Sequence, residues 1–279
     1  MPEGHVIHRL SAGLNSRFEG KAVQVASPQG RFAAAADLLN ATELVGAEAV
    51  GKHLLIDFEG GRTVWIHLGL IGKLWFVPVE SVLPNPQTLR LRVAANGCAA
   101  DLRGPQWCRL IDPAERSGVI ASSGPDPLRA DADPQRAWRK VHASARPIGV
   151  LLMDQRVFAG VGNIFRAEVL FRHGIDPQLP AKVLPRSIFD SIWADLVGLM
   201  NYAMAAGRID TVGEQHTPEA MGRPPRVDAH GGEVYVYRRL GEPCLVCGTP
   251  VLGAALAGRN LYWCPACQPA GSSGHVMEL

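Results

Sequence analysis

The chain has 279 residues, 47% hydrophobic and 19% charged, enough apolar material for one large domain or two of ordinary size. No stretch approaches the ~18 consecutive apolar residues of a membrane helix, so no membrane partner is expected. The formal charge of +2 neither announces nor excludes a polyanionic partner, because nucleic-acid binding depends on where the cations sit.

The opening MPEGHVIHRL has too few apolar residues for a signal peptide and no small-residue or arginine-rich cleavage pattern, which points to mature protein in the cytoplasm. Ile7, Leu10 and Leu14 fall at spacings of three and four, with Val6 and Phe18 alongside, and predict a first helix. Proline suits the first turn of such a helix, where its missing N–H is not required. His5 and His8, with no carboxylate or cysteine nearby, read as ordinary polar or ligand-facing side chains rather than metal ligands. Short strands are expected next: KAVQVAS, HLLIDFE with GGRTVWIHL behind a Gly-Gly turn, LWFVPV, and LRLRVAANGCAADLR around Asn96-Gly97. Leu89, Leu91 and Val93 alternate with Arg90 and Arg92, so one face is buried and one wet. The expected fold class is α+β, an N-terminal helix with a β-sandwich or barrel followed by a helical domain.

From about Asp112 to Pro134 the chain is rich in Pro, Gly, Ser and Asp and shows no sustained period, which places a domain boundary there. The expected organisation is a β-sandwich domain over 1–122, a linker over 123–134, a helical domain over 135–232 and a metal-binding segment over 233–279. RPIGVLLMDQ, NIFRAEVLFRHG and RSIFDSIWADLVGLMNYAMAAG read as helices, the last with Ile188, Ile192, Leu196, Leu199 and Ala203 along one face. Residues 207–232 read as a long mobile loop. Of six cysteines, four stand as Cys244-x2-Cys247, sixteen residues, then Cys264-x2-Cys267. Two close pairs flanking a hairpin-length insert suit a tetrahedral structural Zn2+. Two disulfides are the alternative, and they would need an oxidising compartment. Cys98 and Cys108 stand apart and read as packing residues.

Several side chains carry chemistry beside a plain structural alternative. Loss of Met1 would leave Pro2 with a free secondary amine, titrating near about 8 and partly neutral at neutral pH, able to attack a sugar C1′ and form an iminium. Glu3 would then move the accompanying protons. The alternative is that both residues merely start a helix. Gly160, Gly162 and Asn163 form a tight turn in which Asn163 is suited to cap the next helix and the exposed N–H groups to bind phosphate. A purely structural turn is the alternative. Lys52 stands at a strand mouth, as a phosphate contact or a solvated lysine. Arg259 lies near the tip of the cysteine hairpin, where its planar fork fits phosphate or simply faces water.

Taken together, MPEG, GKHLL, LLMDQRVFAGVGNIFRAEVLF and GEPCLVCG to GRNLYWCPACQ resemble four motifs of the Fpg/Nei family of bifunctional DNA glycosylases, in order and over essentially the whole chain. The resemblance is to the actinobacterial endonuclease VIII branch. It implies a β-sandwich domain, a helix–two-turn–helix domain and a four-cysteine zinc-finger hairpin holding Zn2+. It implies Pro2 as Schiff-base nucleophile and Glu3 as acid/base, with Lys52 assisting β-elimination. Asn163 is implied as a phosphate contact, and Arg259 as a phosphate grip that assists δ-elimination. Leu70, and with it Ile71, aligns with the intercalating loop, a strand-end core residue being the alternative. Gly69 departs from the branch's glutamine, and DLRGPQW lacks the RRF arrangement of the formamidopyrimidine branch, which puts an arginine role for Arg103 in doubt. The implied partner is damaged double-stranded DNA, met by a monomer in the bacterial cytoplasm and on the nucleoid when bound. MPEGH rather than MPEL points to oxidised pyrimidines. The alternatives are an oxidised-purine glycosylase, a damage-binding protein without catalysis, and a zinc-ribbon RNA-binding protein.

Overall fold

The apolar stripe from Ile7 to Phe18 forms α1 (Gly4–Phe18) in the computed structural model, which describes residues 2–81, 85–228 and 232–275. Residues 1–122 and 123–279 make two compact units.

In the first unit α1 is followed by β1 (Lys21–Ala26), α2 (Ala33–Leu39), β2 (Thr42–Val50), β3 (His53–Phe58), β4 (Arg62–His67) and β5 (Lys73–Pro78). Then come β6 (Leu89–Ala95), β7 (Cys98–Arg103), β8 (Trp107–Ile111) and α3 (Pro113–Ser122). The strands pair antiparallel in the order β5-β7-β6-β1-β2-β3-β4-β8. β1 turns the corner between two layers: Lys21–Val23 pair with β2 while Gln24–Ala26 pair with β6. A strand that changes sheet in this way lets two sheets share one interior. Ile7, Leu14 and Phe18 of α1 fill that interior together with Val23, Leu54, Ile66, Leu91 and Leu102. Asn96 and Gly97 both have positive φ, the backbone a two-residue turn between twisted strands requires.

Four elements of this unit, β2, α2, β8 and α3, stand where the sequence reading named none. β2 carries Glu43 and Glu48 and an irregularity between Leu44 and Gly46, so its alternation is broken. α2 buries only Ala36 and Leu39. α3 lies where an aperiodic boundary was expected: it buries only Val119, against Val50, Leu55 and Ile111, so no stripe announces it.

The second unit holds α4 (Pro134–His142), α5 (Ile148–Leu151), α6 (Asn163–Arg172), α7 (Arg186–Ala206), α8 (Pro218–Met221), β9 (Leu252–Leu256) and β10 (Arg259–Trp263). Asp133 caps α4 by accepting from the Gln135 N–H, with Pro134 opening the helix. The expected helix over RPIGVLLMDQ shrinks to α5. In α7 the buried line runs Phe189, Ile192, Leu196, Met200 and Ala203, with Ile188 and Leu199 at its flanks. Ile192, Leu196 and Ala203 thus lie on the expected face, while Phe189 and Met200 take the buried places expected of Ile188 and Leu199. α6 is buried on every side from Ile164 to Phe171 and carries two charged groups inside, Arg166 and Glu168.

The Glu168 carboxylate accepts from the backbone N–H groups of Tyr235, Val236 and Tyr237 at 2.7, 2.9 and 2.8 Å, and from the Thr211 hydroxyl at 2.6 Å. Four donors offset the cost of burying the anion. They also tie the chain on both sides of residues 212–234 to one helix. The described part of that segment contains a 3-10 turn at Glu214–His216 and α8, and Arg223 pairs with Glu233 at 2.6 Å, so it is not one long loop; residues 229–231 of the expected loop lie outside the described residues. Among the described residues no helix is long and apolar enough to cross a membrane.

Candidate functional site

The head of α1 is built differently from an ordinary helix start. Glu3, not Pro2, is the N-cap, and Pro2 lies one residue outside the helix and half-buried. Proline's preference for the first helical turn therefore does not account for it. The Glu3 side chain makes no capping hydrogen bond, although its backbone C=O accepts from the Val6 N–H at 3.0 Å. The carboxylate is nevertheless 2% exposed.

Lys52 occupies the two-residue turn between β2 and β3, closed by the Val50–His53 pair, and is only 8% exposed. A solvated strand-end lysine is excluded by that burial. Two histidines that sequence reasoning missed stand beside it, paired across the ladder as His53 and His67. Burial first, then His67 and Lys52, push His53 down to about 4. Burial and Lys52 likewise lower His67, against a hydrogen bond that its ring donates to the Gln106 side chain. Both imidazoles are neutral at pH 7, so the positive charge of this corner is that of Lys52. Each ring is fixed: His53 Nδ1 accepts from Trp65 Nε1 at 3.1 Å, and His67 stacks on Trp107 with centroids 4.5 Å apart. The signal was available as histidines at opposed strand ends, but register was needed to read it.

His67 Nδ1 also accepts from the Gly69 N–H at 3.1 Å, anchoring the turn that presents Leu70 and Ile71. These two are 66% and 79% exposed, so the strand-end core reading is wrong for both. Gly69 has φ +69°, and a Cβ there would stand 2.9 Å from Gln106 Cβ. A glutamine at position 69 would therefore be strained in this turn. Arg103 is engaged elsewhere, donating to Thr88 Oγ1 at 2.8 Å with its guanidinium over the Trp75 ring.

His5 is 6% exposed, contrary to the reading of it as a surface polar group. Burial, then Arg9 and His8, lower its pKa from 6.5 to about 4. Between those values the unfolded chain takes up a proton that the folded chain refuses. Stability from this residue is therefore whole above pH 6.5 and is lost as pH falls towards 4, by ~3 kcal/mol at most. Urea unfolding across pH 7 to 4 should show the advantage of wild type over His5→Gln shrinking by that order. A difference independent of pH would refute the account.

In the second unit Gly162 is the N-cap of α6, without a side-chain bond, and Asn163 is the first helical residue. The expected capping by Asn163 is thus not observed. Its amide points to the zinc hairpin, with Nδ2 donating to the Asn260 C=O at 2.9 Å. Arg259 opens β10 beside the Ala257-Gly258 turn and is exposed, at the tip expected from sequence. Cys244, Cys247, Cys264 and Cys267 bring their sulfurs within 4.8 Å of one another. The Cys244–Cys267, Cys247–Cys264 and Cys247–Cys267 sulfur separations are 3.9, 3.5 and 3.5 Å. Tetrahedral zinc with bonds of about 2.3 Å needs sulfurs about 3.8 Å apart. Disulfides, with sulfurs near about 2.0 Å, do not match this cluster. Cys98 and Cys108 stand outside it, and burial pushes the Cys108 thiol up to about 12, as befits a packing residue.

Three family models match the chain: the formamidopyrimidine-DNA glycosylase N-terminal domain over residues 1–111, its H2TH domain over 123–213, and the zinc finger found in FPG and IleRS over 241–270. The chain belongs to the Fpg/Nei family of base-excision DNA glycosylases with AP lyase activity, and its four-cysteine cluster is a structural zinc site. It is 48% identical over 274 residues to Endonuclease 8 1 of Mycobacterium tuberculosis, covering 96% of this chain and 100% of that one. It is 32% identical over 291 residues to the probable endonuclease 8 2 of Streptomyces coelicolor, covering 98% of each. Lactococcus lactis Fpg, solved as a complex with DNA containing an abasic site, matches with a TM-score of 0.75 at 21% identity, covering 95% of this chain and 99% of that one.

Proposed function

We propose that this protein removes oxidised pyrimidines from damaged double-stranded DNA and cuts the strand by β,δ-elimination, acting as a monomer in the bacterial cytoplasm. The observation that carries the catalytic reading is the head of α1: a 2% exposed Glu3 carboxylate that makes no capping bond, next to a proline outside the helix.

With Met1 removed, the Pro2 nitrogen attacks C1′ of an extruded nucleotide and the C1′–base bond breaks, the base leaving with a proton supplied through Glu3. The amine proton then passes to O4′ as the C1′–O4′ bond breaks, and the ring-opened iminium so formed acidifies C2′. Loss of a C2′ proton breaks the C3′–O bond, and a second elimination breaks the C5′–O bond. Lys52, desolvated and flanked by neutral imidazoles, offers a concentrated charge to a departing phosphate. Arg259 and Asn163 hold phosphates, and Leu70 with Ile71 fills the space left by the extruded nucleotide. Zinc, when bound by the four cysteines, supplies no reaction step; it fixes the hairpin that carries Arg259.

Pyrimidine preference is supported by 48% identity to a protein named Endonuclease 8, against 31% to a formamidopyrimidine-DNA glycosylase of Parasynechococcus marenigrum. Excision of dihydrouracil and of 8-oxoguanine from otherwise matched duplexes tests it. Dihydrouracil should be released faster; faster release of 8-oxoguanine would assign the chain to purine repair instead.

A further inference from the structure

We propose that Arg166 is a positioning residue that sets which end of the Asn163 amide is offered to DNA and locks that amide to the zinc hairpin. Its guanidinium donates to Asn163 Oδ1 and, at 2.8 Å, to the Asn260 C=O, the same carbonyl that accepts from Asn163 Nδ2. Asn260 directly follows Arg259 in β10, which pairs with β9. The inference rests on the reading of Asn163 and Arg259 as phosphate ligands and deepens it.

An asparagine amide has one acceptor end and one donor end of nearly equal size, and nothing in the helix start itself chooses between them. Arginine has no acceptor, so a guanidinium against Asn163 compels Oδ1 to face it and the NH2 to face the other way. One N–H of that NH2 is held by Asn260, and the second is left to meet an anion. In the opposite orientation the amide would present an oxygen to a phosphate and repel it. Arg166 is 1% exposed, among the largest fully buried side chains, and lies one helical turn after Asn163 on α6. It also reaches the Gly149 C=O at 3.4 Å. With its fork shared among backbone carbonyls and one amide, it cannot move to the DNA itself. Its effect on DNA is therefore exerted through Asn163 and through the strand that bears Arg259.

The test uses the zinc-loaded protein and a duplex carrying a stable abasic analogue, with Kd measured over a range of salt. Arg166→Met, which keeps length but neither charge nor donors, should raise Kd by ~10-fold with little change in the salt slope, because the phosphate contact it misaligns is made by a neutral amide that releases no counterion. Arg166→Lys should fall between, because a point charge replaces a fork that serves two acceptors. In an Asn163→Ala background the Arg166→Met substitution should add less than ~2-fold, since both remove the same contact. Zinc content and thermal midpoint are followed in every variant; if Arg166→Met loses zinc, Arg166→Lys with Asn163→Ala carries the cycle. Independent, multiplying losses, or an unchanged Kd in the Arg166 variants, would overturn the inference while leaving the Asn163 reading intact. An Asn163→Ala protein that binds as wild type would instead remove the reading beneath it.

Discussion

Replacing Pro2 by glycine is expected to abolish borohydride-trapped linkage to abasic-site DNA while leaving the affinity for that DNA within a few-fold of wild type. A secondary amine that condenses with an aldehyde has no second N–H to lose, so its adduct is a fixed cation and a ready electron sink. A primary amine gives an imine that must be protonated to do the same work. Glycine also removes the pyrrolidine ring that holds the nitrogen against the head of α1, so both reactivity and aim are lost. Glu3→Gln should behave differently: the amine remains, but the carboxamide neither delivers nor receives a proton, and base release should slow by ~10²- to 10⁴-fold. Because Glu3 makes no capping bond, neither substitution removes a cap, and α1 should persist by circular dichroism. Intact mass must show the loss of Met1 in the wild-type protein. Undiminished trapping in Pro2→Gly would remove this residue from the chemistry and shift the nucleophile to a lysine.

Much of this architecture could be read from residues whose physics is local. The α1 stripe, the Asn96-Gly97 turn and the paired cysteines each declare themselves within a few residues, because side-chain period, positive φ and metal geometry are short-range constraints. β2 and α3 could not be read so, since the first carries charged residues across an irregular register and the second buries a single valine. The same division runs through the site. Lys52 and Arg259 could be placed from sequence at strand turns, but the burial of Lys52 and the neutral His53–His67 pair beside it exist only once β3 and β4 are in register. Asn163 could be located at a helix start, yet its partner is Asn260, 97 positions away. Arg166 and Glu168 carry no local signal that sets them apart from other charged residues of a helix. Only the packing of α6 on every side shows that both are buried and that each fastens a distant segment.

Removing zinc is expected to melt residues 241–270 and stop short of Tyr237. Four sulfurs within 4.8 Å of each other cannot all be thiolates without a cation among them, so the metal-free hairpin must either take up protons or spread. Binding free energies of about 10–16 kcal/mol for zinc in finger peptides equal or exceed the whole stability of an ordinary domain. The hairpin has little with which to replace that contribution: in β9 no residue is buried, and in β10 only Leu261 is. Upstream, the three backbone bonds from Tyr235, Val236 and Tyr237 to Glu168 owe nothing to the metal and hold the chain to α6. Limited trypsin digestion of chelator-treated protein should therefore cut first at Arg259 and next near Arg238 and Arg239, leaving a fragment that retains residues up to Tyr237. Cys264→Ser should reproduce the pattern without chelator, and adding zinc back should restore protection to the wild-type protein alone. Strand cleavage should fall along with protection, because Arg259 and the Asn260 carbonyl that orients Asn163 both lie in the melted segment. A chelated protein that keeps Arg259 protected would mean that packing, not metal, holds the hairpin. A digest that runs on through residues 234–237 would mean that Glu168 does not clamp this segment.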